Sequence, residues 1–370
     1  MQLFNFWIIL LTIGTKMSKP PVLWGEIREE FENKGTSLLL GKGFSCAVWN
    51  RFKDSSLYQE ASLQNNGCPF LSEEDKLIFD KLETKNFEKV LATLSTTKEV
   101  NEILGAQAHS EILQTIDDHY QNIQRSLIEA VERVHIPWLK TQKQKTQVLT
   151  TVKEEILKYQ NLFDTSYNLL IYWSLMLDGV PPGLRDYFNK NKEFDENFCP
   201  ENGTLTFFYI HGGLHLYSKG EKIIKITYTR EKNILEQCEQ LWKKPENRPL
   251  FMAEGKWRDK LKFIRNSDYL FFAYNQLKQN TDKLVVLGNP LNLDKNMLDK
   301  NDDFNQHLLD AIVEPSPQKV AISITEDDGD VARQMKYWEG VMKGDDIQFF
   351  RADSHPLLSS ELRIEQTDRA

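Results

Sequence analysis

Four short turns in this chain carry the residues best suited to chemistry. His211-Gly212-Gly213 follows the apolar run LTFFYI. Its imidazole titrates near neutrality, so it could serve as a general base or simply hold its own loop by hydrogen bonding. Spacing alone leaves both readings open. Gly41-Lys42-Gly43-Phe44-Ser45 follows Ser37-Leu38-Leu39-Leu40. Glycines let backbone amides approach a phosphate, and a helix start favours an anion. This turn is neither a Walker A loop nor a GxGxxG fingerprint, so a structural tight turn explains it as well as a nucleotide does. Asp164-Thr165-Ser166-Tyr167-Asn168 and Gly288-Asn289-Pro290 end two further apolar runs.

Weaker signals surround these turns. His211 and His215 form an HxxxH pair, but residues 214–217 read as strand, where positions four apart cannot share one ion, and no carboxylate stands close by. No metal site is expected. The cysteines at 46, 68, 199 and 238 contain no CxxC pair, so they read as free thiols in a reducing compartment. Asp302 and Asp303 in NDDFNQH read first as a helix start whose charges complement the dipole, and second as direct ligand contacts. Glu254-Gly255-Lys256 is either a turn or a place where the Glu faces a crevice.

The elements that must position these turns follow from period and punctuation. Continuous apolar strands are expected at 37–40, 162–163, 205–210, 249–253, 284–287, 319–324 and 347–350, with a half-exposed hairpin over 214–228. Helices are expected at 73–95 in two pieces, 110–135, 146–159, 231–243, 256–279, 303–312 and 330–342, with the apolar LLIYWSLML forming another. Leu113, Ile116, Tyr120, Ile123, Leu127, Val131 and Val134 recur at spacings of three and four, the mark of a core-facing helix stripe. Strands of this kind alternating with helices imply a mostly parallel sheet covered on both faces. The expected fold is therefore α/β and Rossmann-like over 17–352, with a helical insertion at about 65–145 and a polar, frayed tail at 353–370. In such a sheet ligands bind beyond the carboxyl ends of the strands, where the four turns should converge on one crevice.

Composition narrows the function. Of 370 residues, 40% are hydrophobic and 27% charged, which excludes wholesale disorder. A net charge of −8 argues against broad nucleic-acid binding, which needs a basic face. A cytoplasmic protein is expected. Residues 3–14, LFNFWIILLTIG, are too short to span a bilayer and lack the basic start and cleavage site of a signal peptide. Residues 1–16 are read first as an upstream extension with translation beginning at Met17, then as an anchor or an export signal. No membrane contact is expected unless this run is native.

The ordered set LLLGKGFS, NFEKVL, FDTSYNLLIYW, FYIHGGLHLY, PLFMAEGKWRDKLKFI, YLFFAYNQL, VVLGNPL and NDDFNQHLLDAI, over about 22–325, resembles a bacterial family known only as a domain of unknown function. Its usual motifs read approximately LLLGNGFS, TTNYDLLLYW, HGALHL and a late GxS…DxH. That family in turn resembles the sirtuin-like proteins of bacterial anti-phage defence, which bind NAD on a Rossmann-like fold. Many of these hydrolyse NAD to nicotinamide and ADP-ribose.

The resemblance implies NAD as substrate or ligand. It implies cofactor binding by Gly41, Gly43, Phe44, Ser45, Tyr167, Gly212, Gly288 and Asn289, and a base at His211. A protein partner or a homo-oligomer is compatible with this reading. Lys42 stands where the family has Asn, Asp164 replaces the first Thr of TTNYD, Ser166 its Asn and Asn168 its Asp, and Asn289-Pro290 replaces a polar-Ser pair. The positioning role of the family's Asn therefore falls to Ser166 or Asn168. A Ser hydroxyl is shorter than an amide and lacks its paired donor and acceptor, so turnover should suffer. The competing reading is a nucleotide-binding or protein-interaction module without turnover.

Overall fold

Strands whose residues are buried on both faces, and which are rich in Leu, Val, Ile and Phe, are stable only where both faces are covered. The computed structural model places six of them in one sheet: β1 (Thr36–Leu40), β4 (Asn161–Asp164), β6 (Leu205–Tyr209), β10 (Lys283–Leu287), β11 (Val320–Ile324) and β12 (Ile347–Arg351). The two-residue β5 (Leu184–Arg185) adds to one edge. Residues 20–364 are described, apart from 66–67, 105–109, 137–145, 199–202, 228–233, 243, 245–246, 254, 290–304, 316, 326–330 and 343–346. The readings made for residues 1–16, Glu254, Asp302 and Asp303 lie outside the described residues.

The sheet order is β12-β11-β10-β1-β4-β6-β5, and every pairing is parallel. Taking β1, β4, β6, β10, β11 and β12 as strands one to six, the order reads 6-5-4-1-2-3. This is the doubly wound dinucleotide-fold order seen from its other edge. The chain lays down β1, β4 and β6 in one direction, then returns past β1 to build β10, β11 and β12 on its other side. The reversal leaves a crevice at the carboxyl ends of β10, β1 and β4, where Leu287, Leu40 and Asp164 stand in register.

Helix α1 (Trp24–Phe31) precedes β1, and between β1 and β4 the described residues form α2 (Lys42–Val48), α3 (Asp54–Ser62), α4 (Glu73–Lys81), α5 (Phe87–Ile103), α6 (Ser110–Val134) and α7 (Thr146–Ile156). A small hairpin, β2 (Gln64–Asn65) with β3 (Cys68–Pro69), interrupts them. The stripe on α6 buries Ile123, Leu127, Val131 and Val134, and the helix packs on α3 and α5. Helix α8 (Leu170–Met176) is buried along its whole length, and its one serine, Ser174, donates its hydroxyl to Leu170 O at 2.8 Å.

A second, antiparallel sheet of β7 (Gly212–Lys219), β8 (Lys222–Lys225) and β9 (Asn247–Phe251) grows directly from the His211 turn. Helices α9 (Ile234–Trp242), α10 (Trp257–Arg265), α11 (Asp268–Lys278), α12 (Gln306–Val313) and α13 (Val331–Val341) complete the described elements. Among the described residues no helix is long and apolar enough to cross a membrane.

The segment after β12 departs from the expected frayed tail. Residues 352–362 form three short 3₁₀ turns, and His355, Leu357, Leu362 and Ile364 are buried. Ser354 Oγ accepts a 2.8 Å bond from the Trp24 amide, and the Trp24 and His355 rings lie 4.5 Å apart. The polar composition of the tail concealed a few well-spaced apolar anchors.

Candidate functional site

The glycine turns after β1 and β10 are packed against each other. The Gly43 amide donates to Gly288 O at 2.7 Å, and a Cβ at Gly43 would lie 2.6 Å from that same oxygen. A Cβ at Gly41 would lie 2.4 Å from Gly288 O and 2.5 Å from Asn289 Cα. Gly288 itself has φ of +60°, the left-handed region that glycine enters freely. All three glycines are thus required by the contact between the two turns. The Phe44 amide donates to Gly41 O, so two amides at the start of α2 are already engaged within the protein. The Phe44 side chain is fully buried in the core and cannot face a ligand. Lys42, at the mouth of the turn, is paired with Asp54.

The turn after β4 is tied to the turn after β1. Thr165 donates through both its amide and its hydroxyl to Leu40 O at 3.0 Å. Asn168 Nδ2 donates to Ser45 Oγ at 2.6 Å, and Asn168 Oδ1 accepts the Leu170 amide at 3.0 Å. Both ends of that amide therefore hold the fold. Ser166 is buried and its Oγ has no hydrogen-bond partner. Asp164 accepts the Ser166 amide at 2.8 Å, and burial pushes its carboxyl up to about 8. The Tyr167 ring packs 5.0 Å from that of Phe251.

His211 stands just beyond the end of β6, the neighbour of β4 in the sheet. Its Nε2 lies 3.0 Å from Nε2 of His307, on the first turn of α12, with the rings stacked at 28°. Both imidazoles are buried. Burial, and then the charge of nearby Lys260, hold His211 well below the usual histidine range. His307 is depressed likewise, by burial first and then by His211 and Lys260. Both rings are therefore neutral, the state a base needs. Lys260 is itself buried and donates to Glu88 Oε2 at 2.8 Å, which joins the site to α5. Tyr274 donates to His307 O at 2.8 Å and fixes the start of α12.

These turns, strands and paired histidines fall within one stretch of sequence matched by a single family. The chain belongs to the DUF4917 family. The family, described as a domain of unknown function, matches residues 38–357. The match runs from the middle of β1 to the buried turns beyond β12, so the DUF4917 unit spans the central parallel sheet and all four turns. No curated protein matches the chain.

Within the DUF4917 unit the structure brings Gly41, Gly43, Gly288, Asn289, Ser45, Asn168 and His211 to one end of the sheet. Gly212 stands apart in its role. At φ of +76°, its Cβ would lie 2.1 Å from Leu250 O, so it lets β7 pass close to β9. His307 was not singled out by residue pattern, because NDDFNQH reads as an acidic helix start. The signal that could have found it is the histidine that closes the family's last motif. His215 sits apart from the pair, between the rings of Tyr172 and Tyr209 at 4.7 and 4.8 Å. Among the described residues no group of three or more His, Cys, Asp or Glu side chains could hold a metal ion.

Proposed function

We propose that this protein binds a dinucleotide of the NAD type at the carboxyl ends of β10, β1, β4 and β6, and that it hydrolyses the bond between nicotinamide and ribose. The observation that carries the reading is the 6-5-4-1-2-3 strand order, whose reversal coincides with the interlocked glycine turns after β1 and β10; a pair of buried imidazoles stands at the same end of the sheet, beyond β6. Ligands of doubly wound sheets bind at that reversal. The resemblance to sirtuin-like proteins supplies the substrate class and a cytoplasmic defence role in which NAD is depleted. In the reaction a water oxygen bonds to the ribose carbon as the carbon–nitrogen bond breaks. Nicotinamide leaves with that electron pair, and the water proton passes to an imidazole base.

A second reading is favoured by one specific observation. Asn168 is held at both ends by Ser45 and Leu170, and Ser166 offers only a hydroxyl where the family has an amide. A nucleotide-binding module without turnover would show this arrangement. Purified full-length protein titrated with ADP-ribose and assayed for nicotinamide release from NAD separates the readings. Binding with release supports the hydrolase. Binding without release supports the module, and absence of binding removes both.

A further inference from the structure

Helices α5, α6 and α10 leave an open cavity of about 290 Å³ where they meet, and no residue of the four turns lines it. Helix α10 contributes Asp259, Lys262, Phe263 and Asn266, whose i, i+3, i+4, i+7 spacing puts them on one helix face. Lys260 and Ile264 are the residues that α10 buries in the protein. The other walls come from Leu94, Ser95 and Lys98 on α5 and from Ile116, Asp117 and Tyr120 on α6. The charges in this cavity sort into used and unused groups. Lys98 Nζ donates to both carboxylate oxygens of Asp117, at 2.8 and 2.7 Å, and so ties α5 to α6. Asp259 Oδ2 accepts the Ser95 hydroxyl at 3.0 Å, which ties α5 to α10 and leaves Oδ1 as an acceptor. The side chains of Lys262 and Asn266 have no hydrogen-bond or ion-pair partner among the described residues. Asp259 and Lys262 stand at the i, i+3 spacing that permits an ion pair, yet they do not pair with each other. One carboxylate oxygen, one ammonium and one amide thus line the same helix face, opposite the apolar Leu94 and Ile116 and beside the Phe263 ring.

We propose that this cavity binds a small zwitterion with an apolar side chain, an α-amino acid of the leucine or phenylalanine class. Its carboxylate accepts from Lys262 Nζ and the Asn266 amide, its ammonium donates to Asp259 Oδ1, and its side chain lies against Leu94, Ile116 and Phe263. Each ligand charge then meets its opposite in a charge-assisted hydrogen bond, and the apolar body leaves water. The two lysines and two aspartates of the lining cancel, which disfavours a polyanion such as a nucleotide. The volume lies just under the roughly 300–1,000 Å³ of pockets for drug-sized ligands, which suits a molecule of amino-acid size. No histidine or cysteine lines the cavity, so it binds its ligand and does not transform it. This site stands independently of either reading of the dinucleotide crevice.

The experiment is calorimetric titration of the full-length protein with L-leucine and L-phenylalanine, and with two truncated analogues. 3-Phenylpropanoate lacks the ammonium and 2-phenylethylamine lacks the carboxylate. At least one of the amino acids should bind saturably, and each analogue should bind about 10-fold more weakly or worse than L-phenylalanine, because a charged group of the site is then left unmatched. Lys262 is exposed, so Lys262→Met should keep the parental melting temperature while weakening L-phenylalanine by about 10-fold and leaving 2-phenylethylamine unchanged. Asp259→Asn keeps an acceptor for the Ser95 hydroxyl and should weaken L-phenylalanine while leaving 3-phenylpropanoate unchanged. Ile116→Trp fills the cavity and should abolish binding of all of them. Absence of binding of both amino acids at millimolar concentration overturns the proposal. So do analogues that bind as tightly as L-phenylalanine, or parental affinity in Lys262→Met and Asp259→Asn.

Discussion

Asn168 Nδ2 donates to Ser45 Oγ at 2.6 Å, with both side chains buried, and so clamps the turn after β4 to the helix that starts after β1. These positions are 123 residues apart, with the helices α3 to α7 between them. The clamp therefore closes the long excursion at the edge of the crevice. The same amide caps the start of α8 through Leu170. Removing it leaves the Ser45 hydroxyl and the Leu170 amide without their partners.

Asn168→Ala should lower stability by about 1–3 kcal/mol, the usual cost of orphaning buried polar groups. Ser45→Ala should be milder, since Asn168 keeps its bond to Leu170. A double-mutant cycle by denaturant unfolding should give a coupling of about 0.5–3 kcal/mol for the pair. A coupling of zero would mean the two side chains do not act together.

The interlocked glycines lead to a warning and a measurement. A side chain at Gly43 would collide with the backbone of Gly288, not with an open ligand cradle. Gly43→Ala should therefore lower the melting temperature in the complete absence of nucleotide, as should Gly288→Ala, which also strains a φ of +60°. A small effect on the ligand-free protein would show that the turns can part, and would return these glycines to the ligand. Lys42→Asn, which restores the family residue at the mouth of the turn, removes only a partly exposed ion pair with Asp54. It is the cleaner probe of nucleotide affinity and should change stability by no more than about 1 kcal/mol.

Asp164 gives a pH dependence of definite sign. Burial raises its carboxyl to about 8, against about 3.9 for an unfolded Asp. Between those values the folded protein binds the proton and the unfolded chain does not, so this group favours folding in acid and loses that contribution as pH rises through about 8. The buried histidines 135, 211, 215, 307 and 355 are all depressed by burial and work in the opposite sense below about 6.5, where the unfolded chain takes up protons. Comparison with Asp164→Asn cancels the histidines. The Asn oxygen can still accept the Ser166 amide. The stability of the parent relative to this variant should fall by a few kcal/mol from pH 5 to pH 9, measured by urea unfolding. A flat difference would place the carboxylate in contact with solvent.

The sheet was legible because strands such as LLVVL-type runs are apolar on both faces and so have one plausible environment. Leu38–Leu40 and Val285–Leu287 are buried as their composition demands. Convergence of the four turns was legible for the same reason, since parallel strands present their carboxyl ends together. Pairing across the crevice was not. Nothing in HGG or NQH says that His211 and His307, 96 positions apart, meet at 3.0 Å. The same holds for Phe44, which belongs to the GKGFS motif but fills the core, and for His355 and Leu357, hidden by the polar sequence around them. A motif marks where chemistry can be built; which of its side chains face inward is settled by packing between distant segments.

His215 offers the last test. It is fully buried between Tyr172 and Tyr209, and neither of its ring nitrogens has a hydrogen-bond partner. Burial and then the charge of Lys225 keep it neutral, and Lys225 is itself paired with Asp186. The adjacent Tyr209 hydroxyl is also unpartnered, although Tyr209 and Asp164 lie close enough to interact electrostatically. A ring with two unmatched nitrogens gains nothing over a phenyl ring of similar shape, and exchanging unpaired polar atoms for apolar ones is neutral or stabilising. His215→Phe should therefore raise the melting temperature or leave it unchanged, and should not alter ADP-ribose binding. His215→Ala should lower it, since it removes the ring from between two tyrosines and leaves a cavity. A marked loss of stability in His215→Phe would reveal hydrogen bonds to ordered water at both nitrogens.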